Sequence, residues 1–194
     1  MRNVFLVATL LALTILASPS IANAQTPTFS DIPWGSSTEE VSAQLSQDGF
    51  TDIRPKRDGD LQLLDFAGTL LNRTIRGEAI LTNNQLNKIA IFISSRDDAI
   101  GVYNQMKTTL SKKYGPAQKS FQFFSAPYYD GDGYEETAFR VGKATFASYW
   151  HSPTNQNAGI ALDITKSMVV SVQYESDTWS QELDKLNAAG ASHF

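Results

Sequence analysis

The chain has 194 residues, a formal net charge of −4 and no cysteine. A disulfide framework and a thiolate metal site are therefore excluded. The acidic balance, with no basic block, disfavours broad binding to nucleic acid or to anionic lipid.

Residues 1–24 read as an export signal. Arg2 and the terminal amine give a positive start, the run from Val4 to Ala17 is uncharged and mostly apolar, and Ala22-Asn23-Ala24 is a small-x-small cleavage site. The apolar run is shorter than the roughly 20 residues of a spanning helix. No cysteine follows it, so no acyl anchor is expected. The expectation is a soluble chain starting at Gln25, periplasmic or secreted, with no stable membrane insertion after cleavage. Residues 25–29 read as a short disordered lead, and residues 30–194 as one compact domain. A chain of this size can bury an adequate core without staples.

Ser36 or Ser37 with Glu39 or Glu40 three residues on forms a capping box. Val41 and Leu45 share a helical face and Asp48-Gly49 ends it, so a helix is predicted over 38–47. Residues 54–60 are polar, contain Pro55 and Gly59, and read as a loop. Strands are predicted over 61–70, 75–82 and 86–94, with Asn83-Asn84 as a turn. Ile89, Ile91 and Ile93 alternate with Ala90 and Phe92, as in a strand covered on both faces. Asp97 or Asp98 caps a helix over 98–114, which Gly115-Pro116 stops. A strand follows over 118–124. Residues 136–141 and 144–151 read as a hairpin around Gly142-Lys143, and 159–165 with 168–175 as a second one. Asp177 caps a last helix, in which Trp179, Leu183 and Leu186 share a face.

Hairpin-length links between sequential strands point to an α+β fold, with helices packed on antiparallel β-sheet. Two helix-plus-sheet units in tandem, residues 30–95 and 96–176, fit the element order, with a C-terminal helix over 177–189.

The run Ile32-Pro33-Trp34-Gly35-Ser36-Ser37-Thr38-Glu39-Glu40-Val41, followed by Leu45 and Gly49-Phe50, resembles the opening of small exported α+β domains. These include uncharacterised bacterial secreted proteins, BamE-like outer-membrane assembly lipoproteins and beta-lactamase-inhibitor-like domains. The runs Leu110-Ser111-Lys112-Lys113-Tyr114-Gly115-Pro116, Tyr149-Trp150, Ile160-Ala161-Leu162 and Val172-Gln173-Tyr174 are also similar to the uncharacterised group. The resemblance implies a layered helix-on-sheet fold and a binding or envelope role. BamE-like proteins are lipidated at a cysteine and the inhibitor-like domains carry disulfides, and this chain has neither feature. No functional residue is carried over.

The densest local signal is residues 127–136, Pro-Tyr-Tyr-Asp-Gly-Asp-Gly-Tyr-Glu-Glu. Tyr128, Tyr129, Asp130, Asp132, Tyr134 and Glu135 are the candidate binding residues. Tyrosines give large contact area at low entropy cost. The bland reading is a solvated connection between strands, rich in turn-tolerant residues. Asp130, Asp132 and Glu135 or Glu136 could offer calcium hard oxygens, but glycine does not fall at the sixth position of a calcium loop, and Val141 stands where the bidentate Glu belongs. A glycosidase pair needs two carboxyls across a cleft, a geometry that one loop rarely meets. Of Phe121, Phe123, Phe124, Tyr128, Tyr129, Tyr134, Tyr149 and Trp150, most are expected in the core, with the three loop tyrosines as the best exposed candidates. Trp34 is expected to pack at the entry of the first helix. The lone His151 and His193 have no metal spacing. Asn72-Arg73-Thr74 is a formal glycosylation sequon, read as loop. No nucleophile elbow, Walker loop or dinucleotide fingerprint occurs.

The function expected from sequence is non-catalytic binding of a protein or envelope component, without metal or cofactor. The alternative is a periplasmic hydrolase using acidic residues from different elements. A third reading is a structural envelope protein, which an exposed edge strand or apolar patch would support.

Overall fold

The computed structural model describes residues 26–58, 61–95, 98–152 and 157–191. The expected export signal, Gln25, Asp97 and His193 lie outside them. Among the described residues, eight strands form one antiparallel sheet: β1 (Thr51–Asp58), β2 (Leu61–Leu70), β3 (Arg73–Thr82), β4 (Gln85–Ser94), β5 (Lys119–Phe124), β6 (Ala144–His151), β7 (Gly159–Ile164) and β8 (Val169–Glu175). The helices are α1 (Thr38–Gln47), α2 (Ala99–Tyr114), α3 (Glu135–Arg140) and α4 (Trp179–Ala191). The order across the sheet is β1-β2-β3-β4-β8-β7-β6-β5. One meander runs from an edge to the centre, α2 carries the chain to the far edge, and a second meander returns. β4 and β8 join them, in register from Lys88↔Glu175 to Ser94↔Val169.

This architecture corrects the expected α+β fold of helices packed on antiparallel sheet, with its possible tandem units. The described residues are 42 % strand against 27 % helix, and a single sheet runs unbroken through β4 and β8. Two segments carry the difference. Residues 54–60, expected as loop, belong largely to β1. Pro55 is tolerated there because β1 is an edge strand and one side of its backbone needs no partner. Residues 136–141, expected as a strand, are mostly α3. Glu135 and Glu136 in its first turn and Arg140 in its last suit the helix dipole. Glu136 pairs with Arg140 one turn later, and Ala138 and Phe139 are buried. The partners of β6 are therefore β5 and β7.

Elsewhere the expected caps and turns form, with two exceptions, at Asp98 and at residues 26–29. α1 has the predicted bounds, with both halves of the capping box formed: Glu40 N donates to Ser37 Oγ (3.3 Å) and Ser37 N to Glu40 Oε2 (2.8 Å). These bonds hold the Glu40 carboxyl below its ordinary pKa. Asn83 and Asn84 both take positive φ in the β3–β4 turn, and Leu71 and Asn72 do so between β2 and β3. Asp98 precedes α2 without capping it, because its carboxylate goes to Arg73 at 3.0 Å. Residues 26–29 are not a loose lead in the structure: Phe29 is buried, and Thr28 O accepts from Tyr114 Oη at 2.9 Å.

Helices α1, α2 and α3 cover one face of the sheet. Val41 and Leu45 of α1 and Val102, Tyr103, Met106 and Leu110 of α2 share one core with Ile89, Ile91 and Ile93 of β4, Val170 and Val172 of β8, and Ile160 and Leu162 of β7. Each such side chain taken out of water stabilises the fold by about 1.5–3 kcal/mol. Two ring clusters close this layer. Phe29, Phe50 and Phe66 lie with centroids 5.3–6.1 Å apart, and Phe146 gathers Tyr103, Phe124 and Phe139 at 5.4–5.6 Å. Gly77 sits opposite Phe66, and any β-carbon there would fall 2.0 Å from the ring. Among the described residues, no helix is long and apolar enough to cross a membrane.

Candidate functional site

The face away from α1 and α2 carries the alternate side chains of the same strands. Register aligns them in rows. One row runs Arg76–Phe92–Ser171–Asp163–Ala147–Phe121, through β3, β4, β8, β7, β6 and β5. The next runs Ala90–Gln173–Ala161–Tyr149. The centre has a floor of small side chains, with Ala90, Ala147 and Ser171 buried. Taller rings flank it. Phe92 is 39 % exposed on one side and Phe121 45 % on the other. Phe121 meets the half-buried Tyr149 edge to face at 6.3 Å. Phe123, 49 % exposed, continues the ring side along β5.

Asp163 stands in the middle of that floor. Its Oδ1 is shut off from solvent and has no hydrogen-bond partner. Burial pushes its carboxyl pKa up, and the Lys88 ammonium acts against that without cancelling it. Lys88 is committed elsewhere: its Nζ donates to Glu175 Oε1 at 2.7 Å and lies 5.2 Å from the centre of the Trp179 ring. Trp179 opens α4, so this helix begins at the Lys88 end of the open face. Toward β1 the same face has a cleft of about 490 Å³ where Arg54 and Arg76 stand among Asp52, Asp65 and Glu78. Charges of both signs line it.

The tyrosine–acidic segment lies at the corner beside β5. Tyr129 and Asp130 share a groove of about 450 Å³ with Phe123, Phe124, Ile100 and Asn104. Tyr129 and Tyr134 are 66 % and 63 % exposed, whereas Tyr128 is half-buried. Two of the candidate carboxylates build the turn. Asp132 accepts from the backbone N–H of Tyr129 (3.0 Å) and of Tyr134 (2.7 Å), and Glu135 accepts from Gly131 N at 2.9 Å. Their lone pairs are directed into the chain's own backbone, the ordinary role of such residues in turns. Among the described residues no group of three or more His, Asp or Glu is placed to hold a metal ion. The main-chain N–H of His151 is taken by Gln118 Oε1 at 2.9 Å.

The ring expectation needs correction. Of the eight aromatic residues singled out in this part of the sequence, Trp150 alone is fully buried, pinned by its Nε1 donating to Gly115 O at 2.9 Å. Phe121 and Phe123 face outward because β5 is an edge strand and no helix lies over that side. Trp34 is partly buried against the core, as its expected place at the entry of α1 requires. Asp163 and Phe92 were not candidates. The alternation Ile160, Leu162, Ile164 against Ala161 and Asp163 does assign Asp163 to the second face. The sequence carries no signal that small residues flank it on the neighbouring strands.

No family model, curated protein or solved structure matches this chain.

Proposed function

We propose that this chain is an exported protein that binds a partner protein through the open face of its sheet, in the periplasm or outside the cell. The observation that carries the reading is the set of exposed rings on that one face: Phe92, Phe121 and Phe123, beside Tyr149. Large exposed aromatics gathered on one surface mark an interaction site, and rings rimmed by polar groups are the usual composition of a protein interface. Arg54, Arg76, Asp65 and Glu78 supply charges of both signs at the β1 side. That mixture suits a protein partner better than a lipid surface, which calls for cations or an unbroken apolar patch. Tyr129 and Asp130 stand at the β5 corner toward α2, and Asp132 and Glu135 hold that corner in shape.

The hydrolase alternative requires two carboxyls across one cleft. Asp163 is the carboxyl raised by burial on this face, and its neighbours along and across the strands are Ala161, Thr165, Ser171, Ala147, Tyr149 and Gln173. None offers a second carboxylate, and in the β1 cleft Asp52 is paired with Arg54 while Asp65 and Glu78 stand beside Arg76, so binding is the better supported reading.

The test is position-specific. A photo-crosslinking side chain at Phe92 or Phe121, in the producing cell, should give a discrete adduct with one protein. The same group at the exposed Gln105 of α2 should not. Equal adducts at all three positions, or none, would overturn the docking face.

A further inference from the structure

Resting on that docking role, we infer that Asp163 is the anchor of the open face, its carboxylate receiving a lysine or arginine side chain of the bound protein between Phe92 and the Phe121–Tyr149 pair. Asp163 is central in the row Phe92–Ser171–Asp163–Ala147–Phe121. The small floor leaves room above it, and the rings stand on both sides. Such walls suit a cation on a long stem. Phe92 and Phe121 stand two strands from Asp163 on either side, about 10 Å at the usual strand spacing, and border the approach, whereas Tyr149 on the adjacent strand is near enough for the methylenes of the stem to lie against it.

Electrostatics points the same way. Oδ1 is already removed from water and has no donor. A buried acceptor without a partner is costly, and natural folds seldom keep one without a reason. Among the described residues, the chain's own cations do not supply the partner. Lys88 is bonded to Glu175 at 2.7 Å, Arg73 to Asp98 and Arg54 to Asp52, both at 3.0 Å. Arg76 stands three strands from Asp163 and Lys119 two, roughly 14 and 10 Å at the usual strand spacing. A cation brought by a partner would meet the carboxylate from its open side, with Oδ1 already out of water. Part of the desolvation cost is then already met in the free protein, and the attraction adds to binding.

The probe is a phage-displayed random-peptide library, panned on the exported protein. Peptides enriched on the wild type should share a lysine or arginine and bind Asp163→Asn at least about tenfold more weakly, as expected for one partner of a central charge pair. Thermal melting should show Asp163→Asn folded. A charge exchange guards against a merely structural role: Asp163→Lys should bind the same peptides once their shared cation is replaced by glutamate. Phe121→Ser should lose the peptides whatever their charge. If peptides depend on Phe121 but share no cation, or bind Asp163→Asn equally, the anchor is wrong and the docking face stands. If no enriched peptide depends on Phe121, the face itself is wrong and the anchor falls with it.

Discussion

Asp163 shows at the level of one residue how position in a sheet sets a group's chemistry. Burial penalises its ionised form, so the folded chain holds the proton longer than the unfolded chain does. Near the ordinary value of 3.8 and below, both states are protonated and ionisation costs nothing. As pH rises toward the raised folded value, the unfolded chain ionises first and stability falls. Above that value the whole penalty is present. Asp163→Asn removes it, so this variant should melt at a higher temperature than wild type at pH 7, with the advantage gone near pH 3. An equal or lower melting temperature at pH 7 would show that the carboxylate is well solvated. A stabilising change at a proposed anchor is the expected exchange between stability and function. Legibility was uneven at this scale. The turn-forming parts of residues 127–136 were apparent from residue type. The shared use of Asp132 by two backbone donors depends on the local path of the chain, which composition does not give.

At the scale of elements, caps and stops dominate. The bounds of α1 follow from Ser37, Glu40 and Gly49, because each acts on backbone groups within a few residues. The structure adds a tie from outside the helix. Asn84 Oδ1 accepts from Thr38 N at 3.0 Å and from Thr38 Oγ1 at 2.8 Å, fixing the start of α1 to the β3–β4 turn. Asn84 also holds φ at 59°. Asn84→Gly keeps that turn and loses the tie, so it should cost about 1 kcal/mol in chemical denaturation. Asn84→Ala loses both and should cost more. If Asn84→Gly is as stable as wild type, the tie contributes nothing. The elements that sequence misplaced, β1 and α3, share one cause. Their assignment rests on neighbours distant in the chain: β2, which pairs with Pro55 and Lys56, and β6, against which α3 packs. Charge and proline content describe β1 as exposed, which is true, but not as strand, and the short run around Ala138 and Phe139 does not by itself separate helix from strand.

At the scale of the whole molecule, the join between β4 and β8 decides cooperativity. Ile91 and Val172 are paired there, and both are fully buried on the helix face. Ile91→Ala should cost about 2–5 kcal/mol, the range for deleting a buried side chain of this size. Unfolding should remain a single transition, with Trp34 and Trp150 reporting the same midpoint in single-tryptophan variants. Separate midpoints would mean that the sheet is less continuous in energy than in hydrogen bonding. The same join positions the candidate site, since Phe92 comes from β4 and Asp163 from β7, with β8 between them.

By itself the sequence determined what acts locally: the helix caps and stops, the asparagine turns, the period-two alternation that assigns Asp163 and Ile91 to opposite faces, and the exclusion of disulfides. Tertiary structure alone decided which strands lie side by side, and therefore that one sheet spans the chain, that α1, α2 and α3 leave its other face open, and that small residues from three strands surround Asp163 between exposed rings. The physical reason is range. Caps and turns satisfy backbone groups a few residues away, whereas sheet order pairs residues as distant as Lys88 and Glu175, and no local pattern encodes the partner.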